Sequence, residues 1–279
     1  MTTRLLGFSS ASRNALDAVA SRDLALRLLS ALAVTGVTLS RLAKDFQLWS
    51  TREFAFLELP DELSGSSSMM PQKKNPYLLE MVQGKALAPL GALTRSVATM
   101  AKVPFSNSVE VGTEALKGLE EASQEIREAC TLLSLIAEAA QPAPEQMRKS
   151  AEEGLVMATC IADLLVKEQG HTFREAHFKV GETITTALEN GEEPQAAIYA
   201  LVPGGNLAGE TLLRWVDHFV YGGGPGRTST VQALVAASQR LNHDGGWLRQ
   251  RTAAWRQAEA TRQQEVQAFI THSTTEGSV

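Results

Sequence analysis

An all-α fold, a long-helix bundle followed by a smaller helical domain, is what this sequence predicts, and three observations carry the prediction. Apolar residues recur at helical spacing over long stretches. Nowhere do apolar and polar residues alternate over the length of a strand. The composition is that of aliphatic, Ala-rich helices, with 44% hydrophobic residues, 20% charged and only 6% aromatic among 279; a chain of that length buries a sizeable core in one or two domains.

Residues 1–13 are small and polar and read as a loop. Asn14 is placed to cap a helix carrying Leu16, Val19 and Ala20. From Asp23 to about Trp49 the apolar residues, among them Leu24, Leu29, Val34, Val37, Leu42 and Phe46, recur on more than one face. A helix apolar over so wide an arc is expected to lie buried among others, as inside a bundle. Gly36 interrupts this run without ending it and suits close packing of a neighbour. Leu59-Pro60-Asp61 closes the region. A second long helix is expected from Pro76 to about Lys102, bent by Pro89 and Gly91. Pro104 to Gly112 is a break, and Glu114 to Ala140 a third helix, ended by Pro142-Ala143-Pro144.

These helices make a bundle domain of residues 1–150. A second helical domain, 151–279, has shorter helices at 158–168, 172–190 and 210–220, and glycines concentrated at Gly204-Gly205, Gly222-Gly223-Gly224 and Gly226. Thr228 to Ile270 reads as one long polar-faced helix broken near Gly245-Gly246.

A net charge of −5 gives no case for nucleic acid or an anionic membrane. With no apolar run of membrane-spanning length and no signal peptide at Met1, the expected location is the cytoplasm. Cys130 and Cys160 lie in apolar helical patterns and read as inert, reduced core thiols. Neither a CxxC nor an HExxH pattern occurs, so no metal ligands are assigned.

The stretch that departs from helical texture is Ser64-Gly65-Ser66-Ser67-Ser68-Met69-Met70-Pro71-Gln72-Lys73-Lys74-Asn75-Pro76. Glycine and a serine run form poor helix and poor strand, so residues 64–76 read as a mobile loop. Asn75 and Pro76 read as the N-cap and first position of the helix that follows. A helix entrance with lysine and asparagine beside it suits an anion, and a hydroxyl-rich loop next to it suits a lid carrying a catalytic group.

The wording Met70-Pro71-Gln72-Lys73-Lys74-Asn75-Pro76 resembles the signature of the fumarase/aspartase superfamily, in its argininosuccinate lyase branch. Asn14-Ala15-Leu16-Asp17, Ser21-Arg22-Asp23, Phe173-Arg174-Glu175-Ala176-His177 and Gly222-Gly223-Gly224-Pro225-Gly226 resemble further segments of that branch. The resemblance implies a carbon–nitrogen lyase that needs no cofactor: an anti β-elimination releasing fumarate from an N-substituted aspartate or succinate. Aligned without gaps from Pro71, Ser67 takes the place of the catalytic serine base, with Ser66 the alternative if the register slips by one. Glu80 matches the glutamate that partners the family's histidine. Lys73 and Asn75, with Gln72 and Ser68, fall at substrate-binding positions. Such a transition state puts a second negative charge on the carboxylate, and fixed donors there stabilise it as an oxyanion hole does.

Two departures matter. Where the branch has a tyrosine, a glutamine and a lysine that meet the arginine end of its substrate, this chain has Asn107, Gly112 and Ala115. A different amine is therefore implied, with Asn107, and beside it Ser106, Ser108 and Glu110, as its candidate contacts. The family's N-terminal domain and first bundle helix have no counterpart, and His171, His177, His218, His243 and His272 do not match the histidine motif of that missing half. The resemblance thus implies a subunit of a homo-oligomer, a tetramer in this family, or one completed by a separate chain carrying the N-terminal half. The alternative is a non-catalytic, truncated lyase-fold protein that only oligomerises.

Overall fold

The computed structural model describes residues 2–66, 69–70, 73–202, 216–217 and 219–276, the last five without their side chains. It divides into two compact units, residues 13–150 and residues 151–279 together with 1–12. Each is described by itself.

In the first unit α2 (Ala15–Ala20) is capped by Asn14, whose side chain accepts from the Asp17 amide. The long helix α3 (Asp23–Trp49) follows. It packs on α4 (Tyr77–Ala86), α5 (Ala88–Met100) and α7 (Leu119–Ala139), and both α4 and α5 pack on α7. The core between them holds Ala43, Leu59, Leu79, Val82, Ala129, Leu133 and Ile136. A two-residue antiparallel ladder, β1 (Leu57–Glu58) with β2 (Gln141–Pro142), ties the end of α3 to the end of α7. It is too short to register as sequence alternation.

Several boundaries differ from those expected, each for a local reason. Helix α4 starts at Tyr77, because Pro76 at ψ 54° is not helical; Pro76, not Asn75, is the cap residue. Pro89 does not bend a continuous helix. The chain breaks at Leu87, and Pro89 sits in the first turn of α5, where its missing N–H costs nothing. The third helix begins only at Leu119, after the four-residue α6 (Val109–Gly112), a 3-10 turn Glu114–Leu116 and Gly118 at φ 89°.

Helix α3 is not buried all round. Its buried residues, Ala25, Leu29, Ala33, Gly36 and Ala43, are small but for one. At 100° per residue they form a single stripe, with exposed Leu24, Leu28 and Leu42 on one flank and Val34, Val37 and Leu48 on the other. By length and composition alone this helix is apolar enough to cross a membrane, contrary to the expectation that no apolar run reaches that length.

Helix α8 (Pro144–Glu153) carries the chain into the second unit. There α9 (Ala158–Gln169), α10 (Phe173–Asn190) and α11 (Pro194–Tyr199) enclose a core of Met157, Cys160, Ile161, Leu165, Val180 and Ile198 among others. Thr172 and Glu175 form a reciprocal capping box at the start of α10. The last helix, α12, runs unbroken from Arg227 to Glu276 through Gly245-Gly246; helical neighbours on both sides carry the two glycines, at about 1 kcal/mol each. Residues 1–13 are not all loop, since Thr2–Leu5 forms α1, which packs on α12 with Arg4 paired to Glu265 at 3.1 Å. The helix expected at 210–220 and Gly204-Gly205 lie largely or wholly outside the described residues. Cys160 is buried as expected, whereas Cys130 is exposed on the outer side of α7.

Candidate active site

The two ends of the signature stretch meet in a narrow neck. Gly65 and Asn75 face each other as an antiparallel bridge, with Gly65 N donating to Asn75 O at 2.8 Å and Asn75 N to Gly65 O at 2.9 Å. A side chain at Gly65 would meet the Tyr77 Cβ at 3.0 Å, so the approach of the two strands depends on the absence of one. Below the bridge, Lys74 Nζ lies 2.5 Å from Asp61 Oδ1. Asp61 sits in the 3-10 turn Asp61–Leu63, which Pro60 opens and where Ser64 Oγ donates back to Pro60 O at 3.0 Å. Beside the neck is a cleft of about 310 Å³ whose wall includes Ser50, Arg52, Glu58, Ser64 and Lys74.

This geometry separates two lysines that are adjacent in sequence. The Lys74 ammonium is held above its usual pKa, first by its hydrogen bond to Asp61, then by that carboxylate's charge, with Glu58 and Glu62 adding smaller contributions. Lys73 is exposed, and among the described residues its ammonium has no acidic partner. Of the two, Lys73 is the cation left available to an anionic ligand. Asp61, which makes that division, was missed by reading the motif alone. Its only sequence signal is an acid in a proline turn just ahead of the loop.

The other expected site residues are placed as follows. Ser67, the expected base, and Ser68 and Gln72 lie outside the described residues. Ser66 is exposed just beyond the bridge, and Asn75 is half-buried within it. Glu80 is exposed in the first turn of α4. Asn107 is exposed in the separate segment between α5 and α6. Ser66 and Lys73 thus lie next to the Gly65–Asn75 bridge in the chain, while no side-chain hydrogen bond among the described residues joins Glu80 or Asn107 to it.

The Asn107 segment is built differently from what its neighbours suggested. The Ser108 hydroxyl accepts from Val111 N at 3.4 Å and so caps α6. The Glu110 carboxyl is drawn below its usual range by its own backbone amide and by Ser108. Ala115 is buried, and Gly112 has nothing within 4 Å of where a Cβ would stand. Arg22, unnoticed as a site residue, donates from Nε to Val111 O at 3.0 Å. Among the described residues, no three His, Cys, Asp or Glu side chains cluster as metal ligands would.

A family model described as "Lyase" matches residues 2–91, and one described as "Argininosuccinate lyase C-terminal" matches residues 155–201. Argininosuccinate lyase of Thermus thermophilus is 42% identical over 190 residues, which are 68% of this chain and 41% of that protein. Among solved structures, EDDS lyase in complex with formate aligns over 97% of this chain and 56% of its own, with a TM-score of 0.80 and 28% identity. A variant of EDDS lyase with bound fumarate gives a TM-score of 0.79 and 29% identity over the same shares. The chain therefore spans about half the length of the relatives it matches.

Proposed function

For a chain that belongs to the fumarase/aspartase superfamily, in its argininosuccinate lyase branch, we propose a role as the signature-loop-bearing part of a carbon–nitrogen lyase that releases fumarate from an N-substituted aspartate or succinate. The observation that carries the reading is the neck, where Asp61 occupies Lys74 and leaves Lys73 exposed beside Asn75.

In the proposed reaction Ser67, or Ser66 in the alternative register, removes a proton from the carbon next to a carboxylate. The electron pair of that C–H bond first delocalises onto the carboxylate, then forms the carbon–carbon double bond as the C–N bond breaks. The amine leaves with its bonding pair and takes a proton, and fumarate remains. The C–H is a very weak acid, so most of the barrier lies in the dianionic carboxylate. A fixed cation and amide donors lower it in proportion to how little they must reorganise. Lys73, Asn75, Gln72 and Ser68 take that role. Removing one donor of this kind typically costs a factor of about 10²–10³ in kcat. Glu80 orients an acid–base histidine supplied from outside the described chain, and Asn107 meets the amine end.

The assembly we propose is a homo-oligomer, in its fullest form a tetramer located in the cytoplasm, with the histidine-bearing N-terminal half present as a complementing chain or segment. The exposed apolar flanks of α3 support self-association. The test is to purify the chain with and without an N-terminal half carrying that histidine and to follow fumarate by absorbance for a panel of N-substituted aspartates. Turnover only in the pair, lost in Ser67→Ala, is expected. Inactivity of the pair on every amine, with Ser67→Ala indistinguishable from wild type in assembly and ligand binding, favours the non-catalytic oligomer.

A further inference from the structure

Helix α6, Val109–Gly112, is one turn long, far below the length at which a helix holds itself together. Its order has three sources. Ser108 caps its N-terminus, Val111 is 2% exposed against the unit, and Arg22 binds its C-terminal end. The arginine stands at the junction of α2 and α3, 89 residues away in sequence, and donates from Nε to Val111 O at 3.0 Å. Its Nη1 donates to Ser21 O at 3.0 Å and to Val19 O at 3.2 Å. No carboxylate among the described residues pairs with it, so its whole charge faces backbone carbonyls. A cation on the orphan carbonyls at a helix C-terminus is favourable in both hydrogen bonding and dipole. The planar fork holds its donors apart in fixed directions toward carbonyls of two segments, where lysine offers three donors from one compact, rotating point.

What this arrangement fixes is the stretch just before α6. Phe105 is 62% exposed and Val109 72%, and Asn107 between them is also exposed. The segment would wander with α6 if the turn were not held. We propose that Arg22 is a positioning residue for substrate selection: by clamping the C-terminal carbonyl of α6 it holds Asn107 in place at the amine end of the site. The substrate half of this inference rests on the lyase reading above; the clamp itself does not.

The experiment follows amide hydrogen exchange in the full chain for wild type, Arg22→Met and Arg22→Lys. The informative amides are Gly112 N, bonded to Ser108 O, and Thr113 N, bonded to Val109 O. Arg22→Met is expected to speed their exchange at least tenfold while the core amides of α4 and α7 stay within twofold. Arg22→Lys, keeping the charge but not the fork, should recover only part of the protection. Unchanged exchange at the two amides, or equal acceleration in α4 and α7, overturns the clamp. In the complemented pair, Arg22→Met should raise KM more than it lowers kcat. It should also shift the kcat/KM ratio between two aspartates differing only in the amine by at least fivefold. An unchanged ratio overturns the role in selection. Inactivity of the wild-type pair refutes the lyase reading and the substrate half with it, while the exchange result still decides the clamp.

Discussion

Gly36 is where α3 crosses α4, and replacing it with alanine sets two effects of opposite sign against each other. Alanine is the better helix former by about 1 kcal/mol, so an open site would gain stability. At position 36, however, a Cβ would stand 1.8 Å from Ala86 O and 2.9 Å from Ala86 C. Real Cβ atoms are essentially never found within 3.0 Å of such neighbours, and both clashing atoms are backbone, so no side-chain rotation relieves them. The α4 carbonyl would have to retreat by more than an ångström, loosening Val82 and Ala86, which are fully buried nearby. Overpacking a tight core costs about 1–3 kcal/mol, and a backbone clash belongs at or above the upper end. Net of the helix gain, Gly36→Ala should destabilise the first unit by about 2 kcal/mol, a fall of roughly 4–8 °C in Tm. Thermal unfolding followed by circular dichroism reads this directly. Gly84→Ala is the control, since that glycine lies in α4 with nothing within 4 Å of its Cβ position; it should stabilise by up to about 1 kcal/mol. If Gly36→Ala melts at or above wild type, the two helices do not approach as described and the reasoning fails.

Two further predictions concern titrating groups. Lys85 on α4 bridges Glu125 at 3.0 Å and Glu128 at 2.6 Å on α7. Its hydrogen bonds draw Glu128 below the usual 4.5 and hold Lys85 above the usual 10.5. A depressed carboxyl stabilises above its unfolded value and loses that as pH falls through its folded one, while a raised ammonium stabilises until pH climbs past 10.5. The bridge is therefore intact between these limits, and Lys85→Met should shrink the acid-side loss of stability below about pH 4.5 in urea titrations; an unaltered acid limb would argue against the bridge. For the thiols, a disulfide reagent should label Cys130 in the native chain and Cys160 only after unfolding. Burial raises the Cys160 thiol above its usual 9.0, so unfolding releases its proton more readily and stability should fall as pH rises past that value. Equal labelling of both cysteines in the native state contradicts the assigned burial.

The helices were legible because periodicity over many residues averages out local noise. The helix expected from Asp23 to about Trp49 is found at Asp23–Trp49, and Asn14 announced its cap. The short pieces were not legible. Thr2–Leu5 forms against α12, and α6 forms because Ser108 and Arg22 hold its two ends. The packing of α1 on α12 and the bond from Arg22 to Val111 O are tertiary effects with no local signature, and the Ser108 cap alone does not sustain a single turn. Gly245-Gly246 misled in the opposite direction, since two unfavourable residues cannot end a helix that long. The loop could be singled out from its wording, but which lysine is spoken for could not. That depends on Asp61 folding back beside Lys74, and the motif contains no acid to suggest it.

The same distinction bears on α3, whose sequence called for burial on more sides than one chain provides. Its buried stripe is mostly small residues, Ala25, Ala33, Gly36 and Ala43, which lets α4 come close. The larger apolar side chains stand on the flanks, with Leu24 83% and Val34 69% exposed. Fully burying a leucine or valine is worth about 1.5–3 kcal/mol each. With Leu28 42% and Val37 47% exposed as well, covering the part of these four side chains still open would contribute about 4–7 kcal/mol per chain, comparable with the lower end of a domain's entire stability. In the proposed oligomer a contribution on that scale would couple folding to assembly. It also constrains the proposed site. Lys73 and Asn75 are carried at the entrance of α4, the helix that leans on the inner face of α3, so whatever covers the outer flanks also steadies the platform from which the loop works. Activity in a complemented pair should therefore track the assembled fraction and not the total chain concentration.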